Sequence, residues 1–402
     1  MRLGDCLKMN LHSYSEKDKW SVIRYLDTGN ITEGRLNEVQ SLLVGRDKIP
    51  SRARRKVSIG DIVFSTVRPN QKHYGIIEEE IENLLVSTGF AVMTVNEEIA
   101  DPYFIYYFLT QPDIINSLQA IAEQSTSTYP SIKPSDIEGI EICLPALKTQ
   151  KKVSNILRVL DEKMKLNNRI NDNLQQQAKA LFKSWFVDFD PFGGVQPSEM
   201  QFVPLQDLCK VVTKGTTPTT LGKPFTTSGI NFIKAESILN NHSIDSCKFA
   251  YIDDETNSML KRSIINADDI VFTIAGTLGR FALVDESILP ANTNQAVAII
   301  RPDHTKISST YLYSFFIGNW HNEYYSKRVQ QAVQANLSLT TIKSLPIALL
   351  DKKTMDQYDK LMCPLFAMMK NNEEENRKLS ILRDSLLPKL MSGEIDVSAV
   401  QL

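Results

Sequence analysis

TQKKVSNILRVLDEKMKLNNRINDNLQQQAKALFKSWF, Thr149–Phe186, runs for 38 residues without a glycine or a proline. Its apolar positions step by four and three: Val153, Leu157, Leu160, Met164, Leu174, Ala178, Leu181 and Trp185, with Asn167 and Asn171 continuing the series. That spacing predicts a helix with a heptad seam. The same series recurs 205 positions on, as Tyr358, Met362, Leu365, Met369, Asn372, Asn376, Leu379, Arg383, Leu386 and Leu390. Pro364 and Pro388 lie inside the second copy and are expected to bend or shorten it, Pro388 marking its last turn. Both copies place asparagine at the same two seam positions. A buried amide costs stability and fixes register, because it must find a partner. Two-fold symmetry favours an antiparallel pair in which Asn167 and Asn171 face Asn372 and Asn376, although a parallel pair also lets them meet. At 1.5 Å per residue the helix spans roughly 57 Å.

The duplication extends outward from the helices. DIVF occurs at Asp61–Phe64 and again at Asp269–Phe272. LGDCLK at Leu3–Lys8 matches LQDLCK at Leu205–Lys210, Tyr25-Leu26 matches Phe232-Ile233, and Tyr103-Phe104 matches Tyr311-Leu312. The chain therefore reads as a tandem repeat with a period near 205 rather than a solenoid. Stretches such as VSIGDIVFSTV, LLVSTGFAVMTV and IINADDIVFTIAG are rich in Val, Ile, Phe and Thr and read as strands. YFIYYFL and TYLYSFFI read as short buried helices. The expected class is α/β (α+β): two similar mixed globules separated by two long antiparallel helices packed as a coiled coil. The expected segments are a first globule over 1–147, a spacer helix over 148–190, a Gly- and Pro-containing linker over 191–202, a second globule over 203–351, a second helix over 352–392 and a tail over 393–402.

Length alone asks for two or more domains. Of the 402 residues 42% are apolar and 23% charged, and no apolar run approaches the ~20 residues that span a bilayer. No membrane association is expected, and cytoplasmic residence is the default because the N-terminus lacks an apolar leader core. Five scattered cysteines read as free thiols, with no metal site. The net charge of −2 argues against a generally basic coat, but charge is sorted along the chain. Ser51–Gly75 carries six basic residues and one acid, and Lys210–Lys234 carries four lysines and no acid. Such sorting suits a one-sided binding surface as well as an ordinary solvated face.

Catalytic motifs are missing. There is no phosphate-binding glycine loop, no H-E-x-x-H and no G-x-S-x-G. Asp101-Pro102-Tyr103-Phe104 resembles the acid-Pro-Pro-aromatic stretch of amino-methyltransferases, but it lacks the second proline and a helix start explains it better. No catalytic residue is expected. What remains suits a nucleic acid. Arg52, Arg54, Arg55 and Lys56 can neutralise phosphates, and Arg68, Asn70, Lys72, His73 and Tyr74 follow the first DIVF strand in a turn. In the second unit the candidates are Lys214, Thr216, Thr217, Thr219, Thr220, Lys234 and Arg280, with Gln330, Gln331, Gln334 and Asn336 before the second helix. Equivalent loops differ while the apolar frame repeats, as two readers of different sequences would require.

The layout resembles the DNA-specificity subunit of type I restriction–modification systems over essentially the whole chain. Ile156–Phe192, Leu382–Val397, Val211–Thr220 and Gly60–Asn70 carry the resemblance most specifically. It implies two target-recognition domains, each reading half of a split asymmetric site in double-stranded DNA, and paired helices that set the gap. It implies docking of two methyltransferase subunits and, in the full complex, two restriction–translocase subunits. S-adenosylmethionine and ATP then belong to those partners, and this chain carries no cofactor and no catalysis. Trp185, Phe186, Phe189 and Phe192 are expected either to anchor a methyltransferase subunit or to pack on the chain's own second helix. The alternative function is a caliper-like scaffold that binds proteins without DNA specificity.

Overall fold

The computed structural model describes residues 1–36, 38–125, 129–320 and 337–400. The chain forms two compact units, Met1–Lys165 with Glu375–Leu402, and Leu166–Glu374. Each unit holds one globule together with part of each long helix.

The first long helix is Leu147–Phe186 and the second is Lys352–Met391, 40 residues each. Pro388 lies in the last turn of the second, as expected, but Pro364 does not shorten it. Proline removes one helical hydrogen bond and crowds the carbonyl four residues back. Pro364 is exposed, so water can reach the carbonyl that it releases. The seam is observed: Val153, Leu157, Asn167, Asn171, Leu174, Ala178 and Trp185 are buried on the first helix, and Tyr358, Met362, Met369 and Leu390 on the second. Numbers rise on one helix as they fall on the other within each unit. In the first unit Asp161 pairs with Arg383 and Lys163 with Glu375. In the second, Asn171 meets Met369 and Asn372, while Trp185 packs on Tyr358. The helices are therefore antiparallel in both units.

Why DIVF occurs twice follows from the sheets. In the first unit a four-stranded antiparallel sheet has the order Leu7–Met9, Phe90–Val95, Ile62–Ser65, Tyr74–Ile76. In the second the order is Cys209–Lys214, Val297–Pro302, Ile270–Thr273, Phe281–Leu283, again antiparallel. DIVF supplies the third strand each time. Ile62 and Phe64 face the core that includes the long helices, while Val63 faces a second cluster on the other side. Ile270 and Phe272 divide from Val271 in the same way. A strand buried on both faces needs an unbroken apolar run. Each fully buried side chain of this size contributes about 1.5–3 kcal/mol. The aspartate before each run is buried too. Asp61 accepts from Thr94 Oγ1 at 2.6 Å and Asp269 from Arg301 at 2.7 Å, and in both sheets that partner lies directly across the ladder.

A second sheet also repeats. Val22–Leu26 runs parallel to Leu84–Ser87, with Gln40–Leu43 and Ala53–Lys56 at the edges. Ile230–Ile233 runs parallel to Ala291–Thr293, with Ala250–Ile252 at one edge. The two apolar aromatic stretches are helices, Pro102–Leu109 and Ser309–Ile317. Asp101 caps the first by accepting from Phe104 N at 2.9 Å, and Pro102 sits at its first position. The acid-proline pair is thus a helix start, and Ser308 does the same work in the second unit.

Candidate nucleic-acid interface

Polar loops gather where the DIVF strands end. In the first unit Thr66 is tied to Gly89 O through its amide (2.8 Å) and its hydroxyl (2.9 Å). The chain then turns through Arg68, whose positive φ of 49° and backbone N–H, donating to Pro130 O at 2.9 Å, hold the bend. The Arg68 side chain is exposed and its guanidinium lies 5.2 Å above the Tyr129 ring. Asn70 is exposed, its amide N–H donating to Gln119 Oε1. Lys72 pairs with Glu33 at 2.6 Å, but both side chains are about half in water, so the pair is weak and leaves the ammonium within reach of a phosphate. His73 is half-buried and held by Ile31 O at 2.7 Å and the Thr32 hydroxyl at 3.2 Å.

Three residues expected at this surface have partners inside the fold. Tyr74 is 4% exposed, stacked on Phe64 and edge-on to Tyr106, so it is a core residue. Arg55 donates to Asn10 Oδ1, which also accepts from Val92 N, and burial lowers the pKa of this guanidinium. Lys56 pairs with Asp18 and lies over the Trp20 ring, and its hydrogen bond holds the Asp18 carboxyl below the ordinary carboxylate range. The Ala53–Lys56 strand is bulged between Ala53 and Arg55, and Arg54, the extra residue there, is exposed while Arg55 and Lys56 are half-buried. Arg52 is exposed as well.

In the second unit Lys214 is exposed at the end of its strand and Gly215 follows. A Cβ on Gly215 would sit 1.9 Å from Thr293 O, so only glycine lets this loop close on the neighbouring turn. Thr216 accepts from Arg262 at 3.3 Å, and Thr217 donates to Gln295 Oε1. Thr219 and Thr220 are exposed, with the Thr220 hydroxyl donating to Thr217 O at 2.7 Å. Lys234 is half-buried over the Phe225 ring. Arg280 is also half-buried and donates to Ile238 O at 3.2 Å, bracing its own loop. Beside it His242 stacks on Phe281 with ring centres 4.0 Å apart, and burial pushes its pKa down to about 4. Gln330, Gln331, Gln334 and Asn336 lie outside the described residues. Arg262 and Gln295 join this loop from elsewhere in the chain. They stand 46 and 78 positions from the threonines they touch, and no local motif marks either.

At the helix seam Asn372 Nδ2 donates to Asn171 Oδ1 at 2.8 Å, and Asn171 Nδ2 donates to Met369 O at 3.2 Å. Asn167 is buried and Asn376 is half-buried. Of the aromatic cluster, Trp185 and Phe186 are buried against the chain's own second helix. Trp185 lies 5.5 Å from Tyr358, and Phe186 lies 5.0 Å from both Tyr311 and Tyr358. Phe192 packs edge-on against Trp185 and Phe189 lies on the same core, so these rings build the second unit. Among the described residues no group of His, Cys, Asp and Glu could hold a metal, and no helix is long and apolar enough to cross a membrane.

The family model of the type I restriction modification DNA specificity domain matches residues 12–176 and again 197–361. The chain is 25% identical over 460 residues to the type I restriction enzyme HindI specificity subunit of Haemophilus influenzae, covering 98% of each. It is 24% identical over 329 residues to the MjaIX specificity subunit of Methanocaldococcus jannaschii, covering 78% of this chain and 73% of that one. Its fold is similar to the crystal structure of the type I restriction–modification S subunit from M. genitalium, with 15% identity, a TM-score of 0.55, and coverage of 97% and 95%. With two family matches lying on two globules of one strand order, the chain belongs to the type I restriction–modification DNA specificity family.

Proposed function

We propose that the chain reads a split, asymmetric site in double-stranded DNA, one half per globule, and brings partner enzymes to it without catalysing anything itself. The observation that carries this reading is the pair of family matches on two equivalent sheets whose connecting loops differ. A shared frame keeps the two readers alike in geometry. Different loops let them prefer different bases. In this reading exposed Arg52, Arg54, Arg68, Lys72, Lys214 and Arg262 meet phosphates, which fix register, and the polar loop side chains meet base edges. The long helices set the gap, with the Asn171–Asn372 amide pair fixing their register. Two methyltransferase subunits dock on the chain, two restriction–translocase subunits join the full complex, and S-adenosylmethionine and ATP are used by those partners.

Co-expression with the cognate methyltransferase, followed by genome-wide mapping of methylated adenines, tests the proposal. A split motif with one fixed gap is the expected result; an unbroken motif or none refutes it. A protein-binding scaffold is the competing reading, and salt separates the two. Each phosphate contact on B-DNA contributes about −0.9 to the slope of log affinity against log salt, so six contacts give a slope of about −5. A scaffold would bind its partners without DNA and with little salt dependence.

A further inference from the structure

We propose that Gln295 is a base-reading residue of the second globule and that it selects adenine in the major groove, an inference that rests on the DNA-reading role proposed above. Gln295 sits at the tip of the turn between the strands Ala291–Thr293 and Val297–Pro302. From Asn292 to Val297 it is the one exposed residue, while Asn292, Thr293 and Val297 are wholly buried. The turn backbone is pinned on every side. Asn294 O accepts from Gly215 N at 3.1 Å and Val297 N at 3.3 Å, and Ala296 O accepts from Ile274 N at 2.8 Å. Below it the Thr293 hydroxyl donates to Ile233 O at 2.7 Å. Three loops therefore converge on one rigid point, and the Gln295 side chain stands on it.

The Thr217 hydroxyl donates to Gln295 Oε1 and so fixes the amide plane before any ligand arrives. An amide oxygen has two lone pairs and the amide nitrogen two N–H groups. One lone pair and both N–H groups thus stay available, side by side. That acceptor–donor pair matches the N6 amino group and N7 of adenine, the pairing that glutamine makes in the major groove. A side chain already held in its bound rotamer loses less entropy on binding. Exposed Lys214 flanks this point, as does exposed Arg262, which donates to Thr216, and both are placed for backbone phosphates. In the first globule the matching turn exposes Thr88, whose amide donates to Arg52 O at 2.9 Å. The same point of the scaffold thus carries an amide in one globule and a hydroxyl in the other.

The full chain is co-expressed with its methyltransferase as wild type, Gln295→Ala, Gln295→Glu and Lys214→Ala, and methylated sites are mapped genome-wide. Gln295→Ala is expected to relax one adenine position in one half of the motif, lowering discrimination there by about tenfold or more. The other half and the gap stay as they were. Gln295→Glu keeps shape and the Thr217 bond, and shifts that position toward cytosine, whose N4 amino group a carboxylate accepts. Lys214→Ala lowers methylation evenly without changing the motif. An unaltered motif in Gln295→Ala, or relaxation spread over both halves, overturns the assignment. A wild-type chain that yields no split motif instead brings down the DNA-reading role itself, and this assignment with it.

Discussion

Arg383→Met should loosen the first unit while leaving the second intact. In the first unit Arg383 Nη1 donates to Asp161 Oδ1 at 2.9 Å, and the Tyr107 hydroxyl donates to Asp161 Oδ2 at 2.6 Å. The Arg383 and Asp161 side chains are 22% and 19% exposed. Unit charges about 4 Å apart attract by about 4 kcal/mol at an effective dielectric of 20, but desolvation offsets much of this. Removing one partner of a buried pair leaves an uncompensated charge at about 3–5 kcal/mol. With a fifth of each side chain in water, the low end, about 3 kcal/mol, applies. The second contact of Arg383, with exposed Asp384, adds about 0–1 kcal/mol. The triple variant Tyr107→Phe, Asp161→Leu, Arg383→Met removes every polar member together and should fall within about 1 kcal/mol of wild type. Hydrogen exchange read by peptide mass spectrometry resolves the two units. Peptides from 147–165 and 375–391 should exchange roughly a hundredfold faster in Arg383→Met, and strand Ile270–Thr273 should be unaffected. Unchanged protection in the single variant, or a triple variant as loose as the single, refutes the reasoning. In the second helical repeat Asp161 corresponds to Phe366, whose ring packs on Tyr313, and Arg383 corresponds to Ala178, so this polar contact belongs to the first unit alone.

Trp185→Ala should cost about 3–5 kcal/mol, seen as a lower melting temperature, because the indole fills the core against Tyr358 and Phe192. A melting curve identical to wild type would instead return Trp185 to the surface. His242 gives the second unit a pH dependence. Its folded pKa of about 4 lies below the ordinary 6.5, so the unfolded chain takes up the proton first and stability falls as pH drops from about 6.5 to about 4. The loss by pH 4 is on the order of 1–3 kcal/mol, and thermal melts of His242→Gln should lack that slope.

The frame was legible in the sequence because its signals are local or periodic. The duplicated DIVF, the heptad spacing and the paired asparagines each follow from burial rules that act within a few residues. Asn171 and Asn372 meet as their seam positions required. The surface was less legible, since a charge reads the same on a strand whether it faces water or a partner. Arg55 and Lys56 find Asn10 and Asp18 at separations of 45 and 38 residues, and nothing in RRK announces that two of its three cations have such distant partners. Tyr74 follows a polar turn, yet the pleat carries it under the sheet onto Phe64. Gln295 and Arg262 acquire neighbours only once the Lys214–Leu221 loop folds over them.

The first unit is discontinuous, and both ends of the chain complete it. Lys152 Nζ donates to Val397 O at 3.2 Å and to Ser398 O at 2.7 Å, while Val397 joins the same core as Leu3, Val153 and Leu157. Residues 166–374 form an uninterrupted unit. A ribosome working from the N-terminus therefore delivers every part of the later lobe before the earlier lobe has its closing segment. The lobe that is translated first is the one that matures last, and until then the face awaiting Leu387, Leu390 and Val397 stands open.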